Sequence, residues 1–245
     1  NLNTTLYMNT FHRIFVLVAL LGLAACNQAP EKKEIPEADR VFGFKSAIVE
    51  YKTISTVEEA SDELEETAWY EDYGLVSARL KKEYFVEEVM DSVYSKTERT
   101  SLLISDTAYS WALDPEKMTG TKISMKEMKA MGRMPGMKAP KKVQPKDYKK
   151  EFVESLGGIW LAGDIVLGKS CIVIELGKTK QWIYKGLVLK SVTTYSSGTI
   201  TRVAIKFDEN ATIAPDKFQI PETYKVAEVT ARDMMNGHGV NPKMN

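Results

Sequence analysis

The chain has 245 residues, of which 44% are hydrophobic and 27% are charged, a composition that excludes a disordered polyelectrolyte and is typical of a globular protein. Its 33 lysines and arginines equal its 33 aspartates and glutamates, so no net charge attracts nucleic acid or an acidic partner. The 220 residues after position 25 suffice for one domain with a substantial core.

The N-terminal segment has the organisation of an export signal. His12 and Arg13 form a short polar region, and the uncharged apolar run 14–23 follows. This run is shorter than the roughly 20 residues of a comfortable transmembrane span. It ends in Leu-Ala-Ala before Cys26, a tetrapeptide that resembles the lipobox of bacterial lipoproteins.

The lipobox resemblance implies cleavage before Cys26, lipidation of its sulfur and acylation of the new amino group, for example with palmitate. Several acyl chains together anchor a protein firmly to a membrane. Residues 1–25 are therefore predicted to be a lipoprotein signal peptide, with an ordinary signal peptide and a chance cysteine as the alternative. Asn27, in place of an aspartate, favours the outer membrane of the cell envelope and leaves the periplasmic or surface face open.

A tether and the first strands follow the cysteine. Residues 26–40 are polar and contain two prolines, which predicts a flexible tether before a domain over 41–230. Residues 47–53 alternate between apolar and polar side chains and predict a strand, as do residues 78–86. Between them, residues 56–67 contain helix formers after a Ser/Thr cap, so a helix, a polar loop and an irregular strand all stay open.

The middle of the chain predicts a hairpin and a helix. Two β-prone runs, 100–105 and 108–113, flank a polar pair as in a β-hairpin, and an Asp-Pro turn follows. Residues 145–156 begin with proline, carry apolar residues at helical spacing and precede two glycines, which predicts a helix that could cover an apolar sheet face.

The second half predicts a series of strands joined by short turns. This spacing is typical of an antiparallel meander, over residues 158–167, 170–176, 181–184, 187–195 and 199–207. Cys171 has no intrachain partner if Cys26 is lipidated, and its apolar, strand-like setting predicts a buried, unreactive thiol. Residues 231–245 lack periodicity and are expected to be a flexible tail.

Three stretches resemble the LolA/LolB-like superfamily of lipoprotein-localisation proteins. Residues 104–115 resemble its hairpin with a tryptophan and an Asp-Pro turn, residues 162–171 with 181–190 resemble its paired strands, and residues 217–224 resemble its closing motif. The chain is identified as a member of an uncharacterised lipoprotein subfamily of that group.

This resemblance implies a mainly β (α+β) fold, in which a curved antiparallel sheet forms an unclosed β-barrel with a few covering helices. Its concave face binds acyl chains in the characterised relatives. The chain departs from the soluble carrier because it is expected to be lipid-anchored, and no arginine maps onto a carrier-type gating residue. We therefore do not expect lipoprotein transport from this chain on the basis of the resemblance, since a fold does not determine a function.

Methionines form the most unusual motif. Met125, Met128, Met131, Met134 and Met137 recur at every third position. Thioethers are soft ligands that select Cu(I), so the run is a candidate metal site. The alternatives are a loop or cavity lid without metal, because methionine also serves as adaptable apolar filler, and a basic, apolar contact with a membrane or a partner.

Signals for catalysis are scarce. The two histidines, His12 and His238, lie in the signal peptide and in the tail, and no hydrolase, zinc-protease, phosphate-loop or dinucleotide motif occurs. We therefore expect neither an enzyme nor a cofactor.

The sequence favours a non-catalytic envelope lipoprotein that binds a lipid or another hydrophobic ligand and contacts the membrane through its N-terminal anchor. The alternatives are a Met-rich copper-binding protein and a structural or partner-binding lipoprotein. Candidate cavity-lining residues come from the aromatic residues of the strands, although buried aromatics are more often plain core. They are Phe85, Trp111, Trp160, Trp182 and Phe207.

Overall fold

The described residues form twelve strands, in which successive side chains alternate between the two faces of the sheet. The computed structural model describes residues 34–57, 63–89, 93–131, 146, 148–230 and 232–233, with the side chains of 85–89, 93–96 and 130–131 undescribed. Residues 1–36 and 37–245 are separate units, and the strands belong to the second. The strands are β1 (Ala47–Ser55), β2 (Glu63–Glu71), β3 (Val76–Val89), β4 (Val93–Ser105), β5 (Tyr109–Asp114), β6 (Thr119–Ser124), β7 (Ile159–Val166), β8 (Lys169–Leu176), β9 (Thr179–Tyr184), β10 (Leu187–Tyr195), β11 (Gly198–Glu209) and β12 (Lys225–Glu228).

The strands form one sheet with two free edges. Its order is β12-β6-β5-β4-β3-β2-β1-β11-β10-β9-β8-β7, and all neighbours are antiparallel except β12 and β6, which are parallel. The edge strands β12 and β7 do not pair, so the sheet stays open. This confirms the mainly β fold and the unclosed barrel with few helices.

The sheet curls because apolar residues of distant strands share one core. We call the face of β1 that carries Ala47, Val49 and Tyr51 the inner face. These side chains pack with Cys171 and Val173 of β8, although three strands lie between β1 and β8 in the sheet. The Tyr51 hydroxyl also donates a hydrogen bond of 3.0 Å to the Val188 carbonyl of β10. The burial of Cys171 confirms the prediction of a buried cysteine.

The outer face is covered at two places. Ala78, Ile104 and Leu113 pack under the segment that ends in β12, through Phe218 and Tyr224. At the other end, the helix α2 (Lys150–Ser155) places Val153 against two isoleucines of β8 and β9. The helix predicted over 145–156 is therefore confirmed as sheet cover but is shorter, and residues 145 and 147 lie outside the described part.

The structure decides the open assignment of residues 63–67 and corrects one alternative for the methionine run. Residues 63–67 are not helical but begin β2, because Leu64, Glu66 and Ala68 alternate onto the inner face between β1 and β3. The loop alternative for the methionine run is wrong over α1 (Met125–Met131), which is helical. The Ser124 hydroxyl accepts a hydrogen bond from the Glu127 backbone at 3.1 Å, which is the N-cap contact that a Ser-x-x-Glu sequence provides.

No helix among the described residues is long and apolar enough to cross a membrane. The predicted boundaries of signal peptide, tether, domain and tail stay predictions, since Cys26, residues 58–62 and most of 231–245 lie outside the described residues.

The burial pattern predicts that truncating a buried core residue costs much more stability than truncating an exposed residue. Leu189 of β10 is fully buried in the inner-face core, whereas Ile205 of β11 is 55% exposed. We expect Leu189→Ala to lower the free energy of unfolding by about 2–5 kcal/mol because it removes buried methylenes and leaves a cavity. The control Ile205→Ala should change it by about 0.5 kcal/mol or less. Urea titration followed by circular dichroism measures both, and equal losses would contradict this core assignment.

Candidate ligand-binding pocket

A pocket of about 450 Å³ opens on the inner face, where β1, β2 and β3 meet the turn between β9 and β10. Its volume falls within the usual range for small-molecule sites. The lining residues are Phe42, Tyr51, Thr53, Leu64, Glu66, Tyr70, Arg79, Lys81, Gly186, Leu187, Val188 and Arg202. A smaller pocket of about 250 Å³ near β4, β5 and β6 has no aromatic wall.

Strand register brings the pocket side chains together. Tyr51 of β1 lies opposite Glu66 of β2, and Glu66 lies opposite Lys81 of β3. Thr53 lies between Leu64 on one side and Arg202 on the other. Opposite residues of antiparallel strands point to the same face, so these six side chains share the inner face.

The apolar wall is held by aromatic packing. The Phe42 ring meets the Tyr70 ring edge-on with a centroid distance of 5.0 Å, and it stacks on Phe44 at 5.1 Å. The Phe42 amide donates a hydrogen bond of 2.9 Å to the Tyr73 carbonyl. A Cβ at Gly74, whose φ is +85°, would stand 2.5 Å from the Phe42 ring, so glycine is required for this close approach.

A buried ion pair crosses the pocket. Arg202 donates a hydrogen bond of 2.8 Å to Glu66, and its guanidinium carbon lies 3.3 Å from the centroid of the Tyr51 ring. The Glu66 side chain is only 3% exposed and that of Arg202 is 26% exposed. Such a pair stays in place because either charge alone would be costly to bury. The negative charge of Glu66 is therefore already compensated by Arg202.

Two further cations, Arg79 and Lys81, line the pocket. Arg79 lies opposite Ala68, one position along the inner face from Lys81. Both are partly buried, and within the described part of the chain no ion pair involves either side chain. Since Glu66 compensates one cation, the pocket carries an excess of two positive charges.

The pocket also contains an unsatisfied hydroxyl. The Thr53 hydroxyl oxygen is buried and has no hydrogen-bond partner among the described residues. Buried polar atoms in proteins nearly always have a partner, so this oxygen is an exception to the usual pattern.

The two tyrosines contribute no charge. Burial raises the pKa of Tyr51 far above its usual value, and the nearby Tyr70 raises it further. Burial likewise raises the pKa of Tyr70. Both hydroxyls are therefore protonated at neutral pH. The arrangement combines aromatic and aliphatic walls with cations and hydroxyls, which suits an amphipathic ligand.

The predicted lining residues do not meet in one site. Trp182 and Phe207 pack in or against the inner-face core, Trp111 packs in the outer-face cluster around Ala78, and Trp160 packs in the cluster under α2. None of these four lines the pocket. Phe85 belongs to β3, but its side chain is not among those described. Their role in ligand binding stays a prediction.

The methionine run is described only in part. Met125, Met128 and Met131 belong to α1, whereas Met134 and Met137 lie outside the described residues. Among the described residues no cluster of three histidine, cysteine or acidic side chains could hold a metal ion. That search does not address thioethers, so the copper alternative stays a prediction.

Sequence patterns did not point to the charged side of the pocket. In β3 the alternation placed Ala78 and Leu80 on the buried side, which left Arg79 and Lys81 to solvent. The structure packs Ala78 in the outer-face cluster, and the opposite face with Arg79 and Lys81 is the inner face, where both cations line the pocket. The one available signal was Glu66, a charge within the otherwise apolar series of Leu64, Ala68 and Tyr70.

Comparisons with known proteins identify no family. No family model matches the chain, and no curated protein matches its sequence. Among solved structures, an uncharacterised conserved protein from Thermus thermophilus aligns with a TM-score of 0.43 and 7% identity, over 76% of this chain and 91% of that one.

Two other solved structures align at lower TM-scores. A putative outer-membrane lipoprotein-sorting protein domain from Vibrio parahaemolyticus aligns with a TM-score of 0.32 and 14% identity, over 72% of this chain and 90% of that one. LprF from Mycobacterium bovis aligns with a TM-score of 0.32 and 10% identity, over 75% and 91%. With all TM-scores below 0.5, the function has to be argued from this chain's own residues.

The Glu66–Arg202 pair predicts that removing the charge of Glu66 lowers stability more than removing the charge of an exposed glutamate. We expect Glu66→Gln to lower the free energy of unfolding by about 2–3 kcal/mol, somewhat less than for a fully buried pair because Arg202 is a quarter exposed. As a control, Glu50→Gln breaks an exposed pair with Lys206 on the same sheet and should cost about 1 kcal/mol or less. Chemical denaturation measures both, and similar small losses would contradict a structural role for the Glu66 pair.

Proposed function

We propose that this chain is a non-catalytic, lipid-anchored protein of the bacterial cell envelope that binds a hydrophobic, amphipathic ligand in the inner-face pocket. The observation that carries this proposal is the pocket of about 450 Å³, whose lining combines aromatic and aliphatic side chains with cations.

The pocket walls supply the driving force for such binding. Burying a methylene group contributes about 0.8 kcal/mol, so a chain of several methylenes against Phe42, Leu64 and Leu187 gains useful affinity. The rest of the inner face is filled by its own core around Phe44 and Trp182. The ligand therefore occupies the pocket and does not pass through the whole half-barrel.

Association with the envelope is supported by the N-terminal sequence. The apolar run 14–23 and the following Leu-Ala-Ala-Cys tetrapeptide fit export and lipidation at Cys26. A lipid-anchored domain meets amphiphiles at the membrane surface, which suits a pocket of mixed character.

Ligand binding is tested on the exported protein with Cys26→Ser, purified from periplasm without detergent. Native mass spectrometry should detect an adduct of lipid mass, and isothermal titration calorimetry should detect binding of decanoate. Leu64→Trp should weaken decanoate binding at least about tenfold because the larger ring fills the pocket.

The matched control is Glu65→Trp, which adds the same ring at the neighbouring, exposed position on the outer face of β2. Its decanoate affinity should equal that of the parent. A protein that is bare in the native spectrum and binds no amphiphile in calorimetry would reject the proposed function and support the structural alternative.

Lipidation is tested separately by expression in a bacterial host with radiolabelled palmitate. We expect the label to be incorporated into the protein and to be lost in Cys26→Ser, because the cysteine sulfur and its amino group carry the acyl chains. Cys171→Ser serves as the control and should keep the label, since Cys171 is buried. Incorporation that persists in Cys26→Ser would contradict the anchor.

A further inference from the structure

We propose that the inner-face pocket selects amphiphiles with an anionic head, a carboxylate or a phosphate, which Arg79 and Lys81 bind beside the Glu66–Arg202 pair. This inference rests on the proposed function and names the chemical class of its ligand.

The positions of the cations carry the inference. Arg79 and Lys81 are two residues apart on β3, so both point to the inner face, where they line the pocket with Arg202. Surface lysines and arginines usually extend from the solvent-facing side of a sheet. Here the opposite face of the same strand packs Ala78 into a buried cluster, so the two cations face the pocket.

The charge balance of the pocket favours an anion. Glu66 is engaged by Arg202 at 2.8 Å and lies deep in the wall with 3% exposure. Arg79 and Lys81 lie two residues apart on the same face of β3, so their like charges repel one another. An anionic head between the two cations would turn this repulsion into attraction.

The hydroxyl-bearing residue Thr53 also lines the pocket. It lies opposite Leu64 in the sheet, and its oxygen lacks a partner among the described residues. Rotation about the side-chain bond would direct this donor into the pocket, where an acidic oxygen can accept its hydrogen bond. The ligand's chain would then lie against Phe42, Tyr70 and Leu187, on the apolar side.

The chemistry also predicts what the pocket rejects. A cationic amphiphile with the same chain would meet two uncompensated positive charges. A neutral alcohol would gain the apolar contacts but not the charge-assisted hydrogen bonds, which are about twice as strong as neutral ones. Selectivity therefore depends on the head, whereas the chain contributes to all three ligands equally.

The test compares ligands that share one chain and differ in the head. Calorimetry on the exported Cys26→Ser protein measures decanoate, decyl phosphate, decanol and decyltrimethylammonium at neutral pH and low salt. We expect the two anions to bind at least about tenfold more tightly than decanol, and the cation to bind more weakly than decanol.

Variants assign this preference to the two side chains. Arg79→Gln with Lys81→Gln should remove the preference, so that this variant binds both anions no more tightly than it binds decanol. Lys52→Gln with Lys82→Gln removes two charges from the outer face of β1 and β3 and should keep the preference. The conservative pair Arg79→Lys with Lys81→Arg should also keep it, and circular dichroism verifies that each variant is folded.

The outcomes separate this inference from the proposed function. Equal affinities for decanoate and decanol, unaffected by the glutamine variants, would overturn the anion preference and leave hydrophobic binding intact. No binding of any amphiphile would reject both. Acetate or inorganic phosphate that binds as tightly as its decyl counterpart would overturn the assignment to an amphiphile and identify a site for free anions.

Discussion

The double pairing of β1 is the constraint on which the rest of the structure depends. This strand hydrogen-bonds along its length to β2 and to β11, so residue 47 lies beside residues 70 and 209. The two meanders on either side would otherwise be separate sheets. Joined by β1, they curl until Tyr51 reaches the Val188 carbonyl of β10 and the inner faces share one core. The pocket lies where this core ends.

The inner face changes character along β1. At the Ala47 end it is filled with apolar and aromatic side chains, which leaves no room for a ligand. From Val49 to Thr53 it is lined by Arg79, Lys81, the Glu66–Arg202 pair and the Thr53 hydroxyl. Buried charges seldom add stability over well-packed apolar residues, so their presence here is better explained by recognition than by folding. A site that departs from the rules of a good core is where function is expected.

Local patterns predicted most of the strands but not their partners. The alternation over 47–53 and the turn signals of the second half depend only on neighbouring residues, and both are confirmed by β1 and β7–β11. Residues 63–67 stayed ambiguous because their composition is compatible with helix, and the strand is imposed by pairing with β1 and β3. The cap of α1 is encoded locally by Ser124 and Glu127.

The sequence by itself determined the mainly β class, the buried Cys171 and the export-like N-terminus, since each depends on local hydrophobicity and spacing. Only the tertiary structure decided that Ala78 packs in the outer-face cluster and that Arg79 and Lys81 line the inner-face pocket. It also decided that the predicted aromatic lining is divided among three clusters. The physical reason is that alternation specifies two faces for each strand, whereas curvature and long-range pairing determine what each face meets.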